Sequence, residues 1–255
     1  MTKPVSAPAT GMFAAPVKER SPHVQDMVDA YEAKKDGRPA PEPKAPPPVQ
    51  PASSNDDRRF TDKPALDPAA VRSLPSNHPA LIENRTLFPS TVVTVDENFP
   101  DRLLVSGKNN RKLGERILKG KFKGYALYGL SLEERATCPT DCGARGYCYG
   151  NGMQMVRRHR IAEPGLFYAF LDDEIRTILA DPIEGLMVRL HVLGDFPSVE
   201  YVAMWSDLLA ENERLAAYGY THRREKKFGG DEIGDAIAAL KHQYPDRFRI
   251  RWSGK

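Results

Sequence analysis

Residues 186–221 read LMVRLHVLGDFPSVEYVAMWSDLLAENERLAAYGYT, and the order of their patterns decides the fold. Leu186–Val192 is an apolar run of strand length. Ser198 can cap a helix running to about Asn212, with Val202, Trp205 and Leu209 recurring at helical spacing on its inner face. Leu215–Thr221 is strand-like again. Two apolar strands joined by one helix make a βα unit, whose strands lie parallel with a right-handed crossover.

The unit repeats outward. Upstream, Tyr125–Leu130 reads as a strand and Pro164–Ala180 as a helix, with Phe167, Leu171, Ile175 and Ile178 on one stripe and Pro164 suited to the first turn. Downstream, Asp231 can cap a helix through Tyr244 that carries Ile233, Ile237 and Leu240, and Phe248–Ser253 is a last strand. The expected fold class is α/β, built of parallel βα units and partial TIM-barrel-like, because four such strands do not close a barrel. The sequence stops directly after a strand with no helix to cover it. Either N-terminal strands complete the sheet, or the reading frame is shortened relative to its relatives.

Ahead of this repeat, Thr91–Asp96 and Leu103–Ser106 look like short strands with Pro100 and Asp101 at the turn between them. Gly107–Gly124 holds seven Lys/Arg against Glu115, and its four glycines argue against a long rigid helix. Residues 1–85 carry 15 of the 22 prolines but only three aromatic residues, Phe13, Tyr31 and Phe60. Such a stretch buries too little apolar surface to offset its chain entropy, so a disordered Pro-rich tail is expected over 1–85 and a folded α/β domain over 86–255. Within the tail, residues 38–51 form a polyproline-type spacer, and Val24–Lys35 can form a short helix able to dock on the domain or on a protein partner.

Composition excludes several classes. No run approaches the length of a membrane span, and the N-terminus lacks the apolar core of a signal peptide, so the cytoplasm is the expected compartment. A net charge of +3 is too small for a chromatin-type protein, and three cysteines within eleven residues do not make a disulfide scaffold. Walker, Gly-x-Ser-x-Gly and His-Glu-x-x-His patterns are missing from the sequence.

Parallel βα sheets gather their chemistry at the carboxyl ends of the strands. The unusual polar clusters of this chain fall there: the cysteines after the first strand, His191 to Asp195 after the second, Thr221-His222-Arg223-Arg224 after the third, and Ser253-Gly254-Lys255 after the last. Cys138, Cys142 and Cys148 form a C-x3-C-x5-C cluster on one polar, Gly-rich loop, which suits a metal better than three inert core thiols. Zinc would need a fourth ligand, with His159 the nearest candidate. A [4Fe–4S] cluster suits three thiolates equally well and would leave one iron open to a small molecule. His191 is either a satisfied core histidine or a ligand. Asp195 is either a turn residue ahead of a helix or a partner for an ammonium group or a metal. Arg157, Arg158 and Arg160, with Arg223 and Arg224, could hold the phosphates of a nucleic acid or of a phosphate-bearing small molecule.

Tyr147-Cys148 resembles the aromatic–Cys ending of the radical S-adenosylmethionine enzymes, whose motif is C-x3-C-x2-C after the first barrel strand. That resemblance implies a contact between Gly194-Asp195, 46 residues beyond Cys148, and the amino group of S-adenosylmethionine, with His191 beside it. The final cysteine spacing here is five rather than two, and Gly-Asp stands for the usual Gly-Gly-Glu. A closer resemblance is carried by Leu132-Glu133-Glu134-Arg135-Ala136-Thr137-Cys138-Pro139, by Tyr147-Cys148-Tyr149-Gly150-Asn151 and by Val188–Phe196. These stretches resemble the phage gene-product-88 family, found in phages, prophages and bacterial genomes, which has no assigned activity. The expectation is therefore a radical-SAM-like enzyme. The alternatives are a zinc-binding nucleic-acid module without activity and a shortened, inactive relative.

Overall fold

The computed structural model describes residues 33, 37–38, 73–95, 100–110 and 113–253. The chain divides into two units, 1–47 and 48–255. In the first, the Arg38 N–H donates to the Ala33 carbonyl across Gly37 at φ +66°. The polyproline spacer, the short helix and the disorder expected of the tail fall almost wholly outside the described residues. Residues 73–85, placed in the tail on composition, are packed chain. Leu74 and Ala80 are buried, and Pro79–Ile82 forms a short helix, α1, capped by His78. The boundary expected at 86 thus lies inside the domain.

The second unit is α/β. Its strands are β1 (Val92–Val95), β2 (Leu104–Ser106), β3 (Ala126–Leu130), β4 (Arg158–Ile161), β5 (Leu186–Leu190), β6 (Leu215–Thr221) and β7 (Phe248–Trp252). The main helices are α2 (Pro164–Ala180), α3 (Val199–Glu211) and α4 (Glu232–Gln243). Ser198 caps α3 by accepting the Tyr201 N–H, and Asp231 caps α4 by accepting the Gly234 N–H. Both caps are as the sequence predicts, because capping depends only on neighbouring residues.

Five strands form one sheet in the order β2-β3-β5-β6-β7, with β2 antiparallel and the rest parallel. The sheet is open, not a closed barrel. The two upstream strands do form, but not with each other: β1 pairs with β4, and β2 pairs with β3. Sequence reading missed β4, whose Arg-His-Arg-Ile looks like a solvated charge run. It joins the main sheet just past β3, where the His159 N–H donates to Ser131 and the Glu133 N–H to His159.

The three helices share one face of the sheet. Each packs on the strand that follows it, and α3 touches both α2 and α4. Val188, Leu190, Ala217, Phe248 and Ile250 point into this layer, against Ile175, Trp205, Leu208 and Leu240. On the opposite face, Leu127, Met187 and Ala216 are covered by Ile117, Phe122 and Tyr125. Those covering residues come from the Gly-rich basic segment or its edge. Among the described residues, no helix is long and apolar enough to cross a membrane.

Candidate functional site

The cysteine loop leaves β3 at the centre of the sheet. Beyond the strand ends, β3 and β5 stay zipped together: the Val192 N–H donates to Leu130 and the Leu132 N–H to Leu193. The loop then folds as successive tight turns, Cys142 to Pro139, Arg145 to Cys142, Tyr147 to Ala144 and Asn151 to Cys148. Cys138, Cys142 and Cys148 are all free and partly exposed. Burial raises the pKa of each thiol, that of Cys138 to about 12, with the Asp195 carboxylate and the other two thiols adding to the shift. The three are therefore electrostatic neighbours and stay protonated near neutral pH. Among the described residues, however, no group of three or more His, Cys, Asp or Glu side chains converges as a site for a single ion.

Below the loop lies a buried ionic clamp. Arg158 on β4 is 0% exposed and Glu134 is 1% exposed. Arg158 donates from Nε to Glu134 Oε2 at 2.6 Å and from Nη2 to Oε1 at 3.1 Å. Its remaining N–H groups reach Thr91 Oγ1, the Val156 carbonyl and the Gly150 carbonyl, and Phe88 stacks on the guanidinium. Glu134 also accepts the Thr86 hydroxyl. Arg135, whose backbone sits at φ +67°, donates to the Arg145 and Arg85 carbonyls and to Asn151, which in turn holds the Gly146 carbonyl. These bonds fix the loop at residues 145, 146 and 150, so the cysteines hang from a rigid frame. The signal for this frame is the complementary charge of Glu133-Glu134 and Arg158-x-Arg160, visible in the sequence only to a reader who pairs the two runs.

The residues expected to contact S-adenosylmethionine are otherwise engaged. Asp195 is 3% exposed. Its Oδ1 accepts the Thr221 hydroxyl at 2.6 Å and the Phe196 N–H, and its Oδ2 accepts the His222 N–H at 2.8 Å. It ties the end of β5 to the end of β6. Gly194 lies at φ +83°, and a Cβ there would stand 2.6 Å from Thr137 Oγ1 and 2.8 Å from Leu132 Cβ. Glycine is needed there for close packing against the start of the cysteine loop. His191 turns into the helix layer, where Nε2 meets the Tyr201 hydroxyl at 2.8 Å and the ring packs edge-on to Phe196. Burial lowers its pKa to about 3, so it is a neutral core histidine.

The basic candidates are also dispersed. Arg158 is the buried clamp residue, and Arg157 pairs with Asp101. Arg160 pairs with Glu133 at 3.1 Å. Arg223 spans the mouth, bonding the Phe196 and Thr137 carbonyls and Asp231. Arg224 stacks on Trp252. No shared phosphate cradle forms from these five: each charge is answered within the protein or by an aromatic face. His159 is buried on β4, its pKa lowered to about 4 by burial and by Arg157, and it does not complete a zinc set with the cysteines. At the end of β7, the Ser253 N–H donates to Thr221, while Gly254 and Lys255 lie outside the described residues.

Neither a curated protein nor a solved structure matches the chain. A family model described as gene product 88 matches residues 103–254, which spans the cysteine loop, the zipped ends of β3 and β5, and every strand of the open sheet. The chain belongs to the gene product 88 family.

Proposed function

We propose that Cys138, Cys142 and Cys148 hold a [4Fe–4S] cluster at the carboxyl end of the sheet, and that the protein is a radical-SAM-like enzyme acting on a nucleic-acid or phosphate-bearing substrate. The observation that carries this reading is the placement of three free, mutually interacting thiols on one braced loop beside the ends of β5 and β6. Zinc at about 2.3 Å from each sulfur draws its donors to one point. A four-iron cube takes one thiolate per iron, so its sulfurs stand further apart than those around a single zinc ion.

The winding of the sheet supports the same reading. Parallel strands in the order β3-β5-β6-β7, with the helices on one face, are also the arrangement of consecutive βα units in a barrel wall, and we read the open sheet in that way. The helix-free face then corresponds to the inside of a barrel. Bound on three thiolates, the cluster would supply an electron and an open iron for S-adenosylmethionine. The chain's own groups have simpler tasks. Arg135, Asn151 and the Arg158–Glu134 pair hold the loop. Asp195 and Gly194 act as positioning residues that set the end of β5 against it.

The test is anaerobic reconstitution with iron and sulfide, followed by absorbance near ~400 nm and metal analysis. About four irons per chain, lost in Cys148→Ala, is the expected result, together with a change in the electron paramagnetic resonance spectrum of the reduced cluster when S-adenosylmethionine is added. A single tightly held zinc and no chromophore would overturn the reading in favour of a zinc module.

A further inference from the structure

We infer that the helix-free face of the sheet, beyond the apolar patch at Leu127, Met187 and Ala216, binds single-stranded nucleic acid. The register sets the pattern. Arg189 on β5, Tyr218 on β6 and Arg249 on β7 are direct cross-strand neighbours, and one step toward the carboxyl ends Tyr220 stands beside Arg251. All five side chains alternate with residues that point into the helix layer, so they share the opposite face. Tyr220 is 51% exposed, Arg249 and Arg251 are exposed, and Tyr218 is half-buried, one side of it packed against the apolar patch. Arg249 has Asp246 at 3.6 Å. The described residues of these two rows include no acid.

The occupant follows from charge and spacing. Two tyrosines at i and i+2 on one strand lie about 7 Å apart, the separation of neighbouring bases in an extended strand. Arginines on both flanking strands place positive charge along each side of that ring track, where a phosphate backbone would run. Every base has a flat face to stack on a tyrosine, and a duplex hides those faces. The Tyr149 hydroxyl of the cysteine loop donates to the Val192 carbonyl just past the end of β5, the strand that carries Arg189, so a bound strand leads toward the cysteines. The inference names the substrate class of the proposed enzyme and depends on that proposal for what is done to the strand. Binding itself needs no cluster.

Fluorescence anisotropy with a labelled oligo-dT and an oligo-U, with a duplex of equal length beside them, tests this on the full chain. The single strands should bind more tightly than the duplex. Tyr220→Ala should weaken binding about ten-fold. Arg251→Glu should lower the slope of log affinity against log salt by about 0.7 for each phosphate that is no longer neutralised. Lys241→Glu, on the helix side, should change neither, and circular dichroism should show each variant folded. The triple variant Cys138→Ala, Cys142→Ala, Cys148→Ala should still bind, which separates this inference from the cluster proposal. Absence of binding, equal binding of the duplex, or wild-type affinity in both Tyr220→Ala and Arg251→Glu would overturn it.

Discussion

Arg158 and Glu134 face each other across 24 residues of chain, fully buried, with the guanidinium Nε 2.6 Å from the carboxylate. The pair joins β4 to the turn that leads into the cysteines, so the loop is anchored from beneath by charge rather than by apolar packing. A buried pair of this kind is held less by its own attraction than by the penalty of leaving either member alone.

That penalty is measurable. Glu134→Gln or Arg158→Met alone should destabilise the domain by about 3–5 kcal/mol. The double substitution should cost clearly less than the sum of the two. Urea unfolding of the four proteins gives the cycle, and additive effects would show that the two residues do not act as a unit.

Gly194→Ala should destabilise by about 1–3 kcal/mol, since the residue combines a left-handed backbone with a Cβ position already occupied by Thr137 and Leu132. The thermal midpoint should fall while helical content is kept. Thr137→Ser with Gly194→Ala should not recover the loss, because Ser keeps the Oγ that the Cβ would meet. Recovery would point to a cause other than this contact.

Glu174 on α2 accepts the N–H groups of Leu103 and Leu104 from a half-buried position, and loss of hydration there lifts its pKa from 4.5 to about 7. A carboxyl that holds its proton more tightly when folded adds stability below pH 4.5 and loses it as pH rises to about 7. Unfolding free energy should therefore decline across that window, and Glu174→Gln should flatten the decline while keeping an acceptor for the two N–H groups. An unchanged slope in the variant would assign the dependence to other groups.

Metal binding at the thiols has the opposite pH dependence. Cys138 keeps its proton up to about pH 12, and its two neighbours are raised as well, so any metal must displace protons to bind. Iron incorporation at fixed time should increase steeply from pH 6.5 to 8.5, on the order of ten-fold per unit for each thiol deprotonated on binding. Cys148→Ala should both lower the yield and make the dependence shallower. A flat profile in the wild type would mean that the thiols are not the ligands.

The helices and most strands were legible from the residues alone. Pro164–Ala180 and Leu215–Thr221 have the predicted bounds, because apolar periodicity, a first-turn proline and a buried apolar run are local properties. Ser198 and Asp231 announce their helices for the same reason. The placement of the cysteines after β3, of Asp195 after β5 and of Thr221 at the end of β6 follows from strand order in a parallel sheet.

The roles of the charged residues were decided only by tertiary structure. Arg157, Arg158 and Arg160 look alike in sequence, yet one is buried on Glu134 and the others pair with Asp101 and Glu133, partners 24 to 56 residues distant. Asp195 reads equally as a turn residue or as a ligand until Thr221 and His222 are seen to take its oxygens. Likewise, no local pattern tells Tyr218, Tyr220 and Arg251 that the helices lie on the other side of their sheet. Periodicity reports which residues share a face. Which face is covered, and which charge is neutralised, depends on chain segments far apart in sequence that meet only when the domain closes on its core.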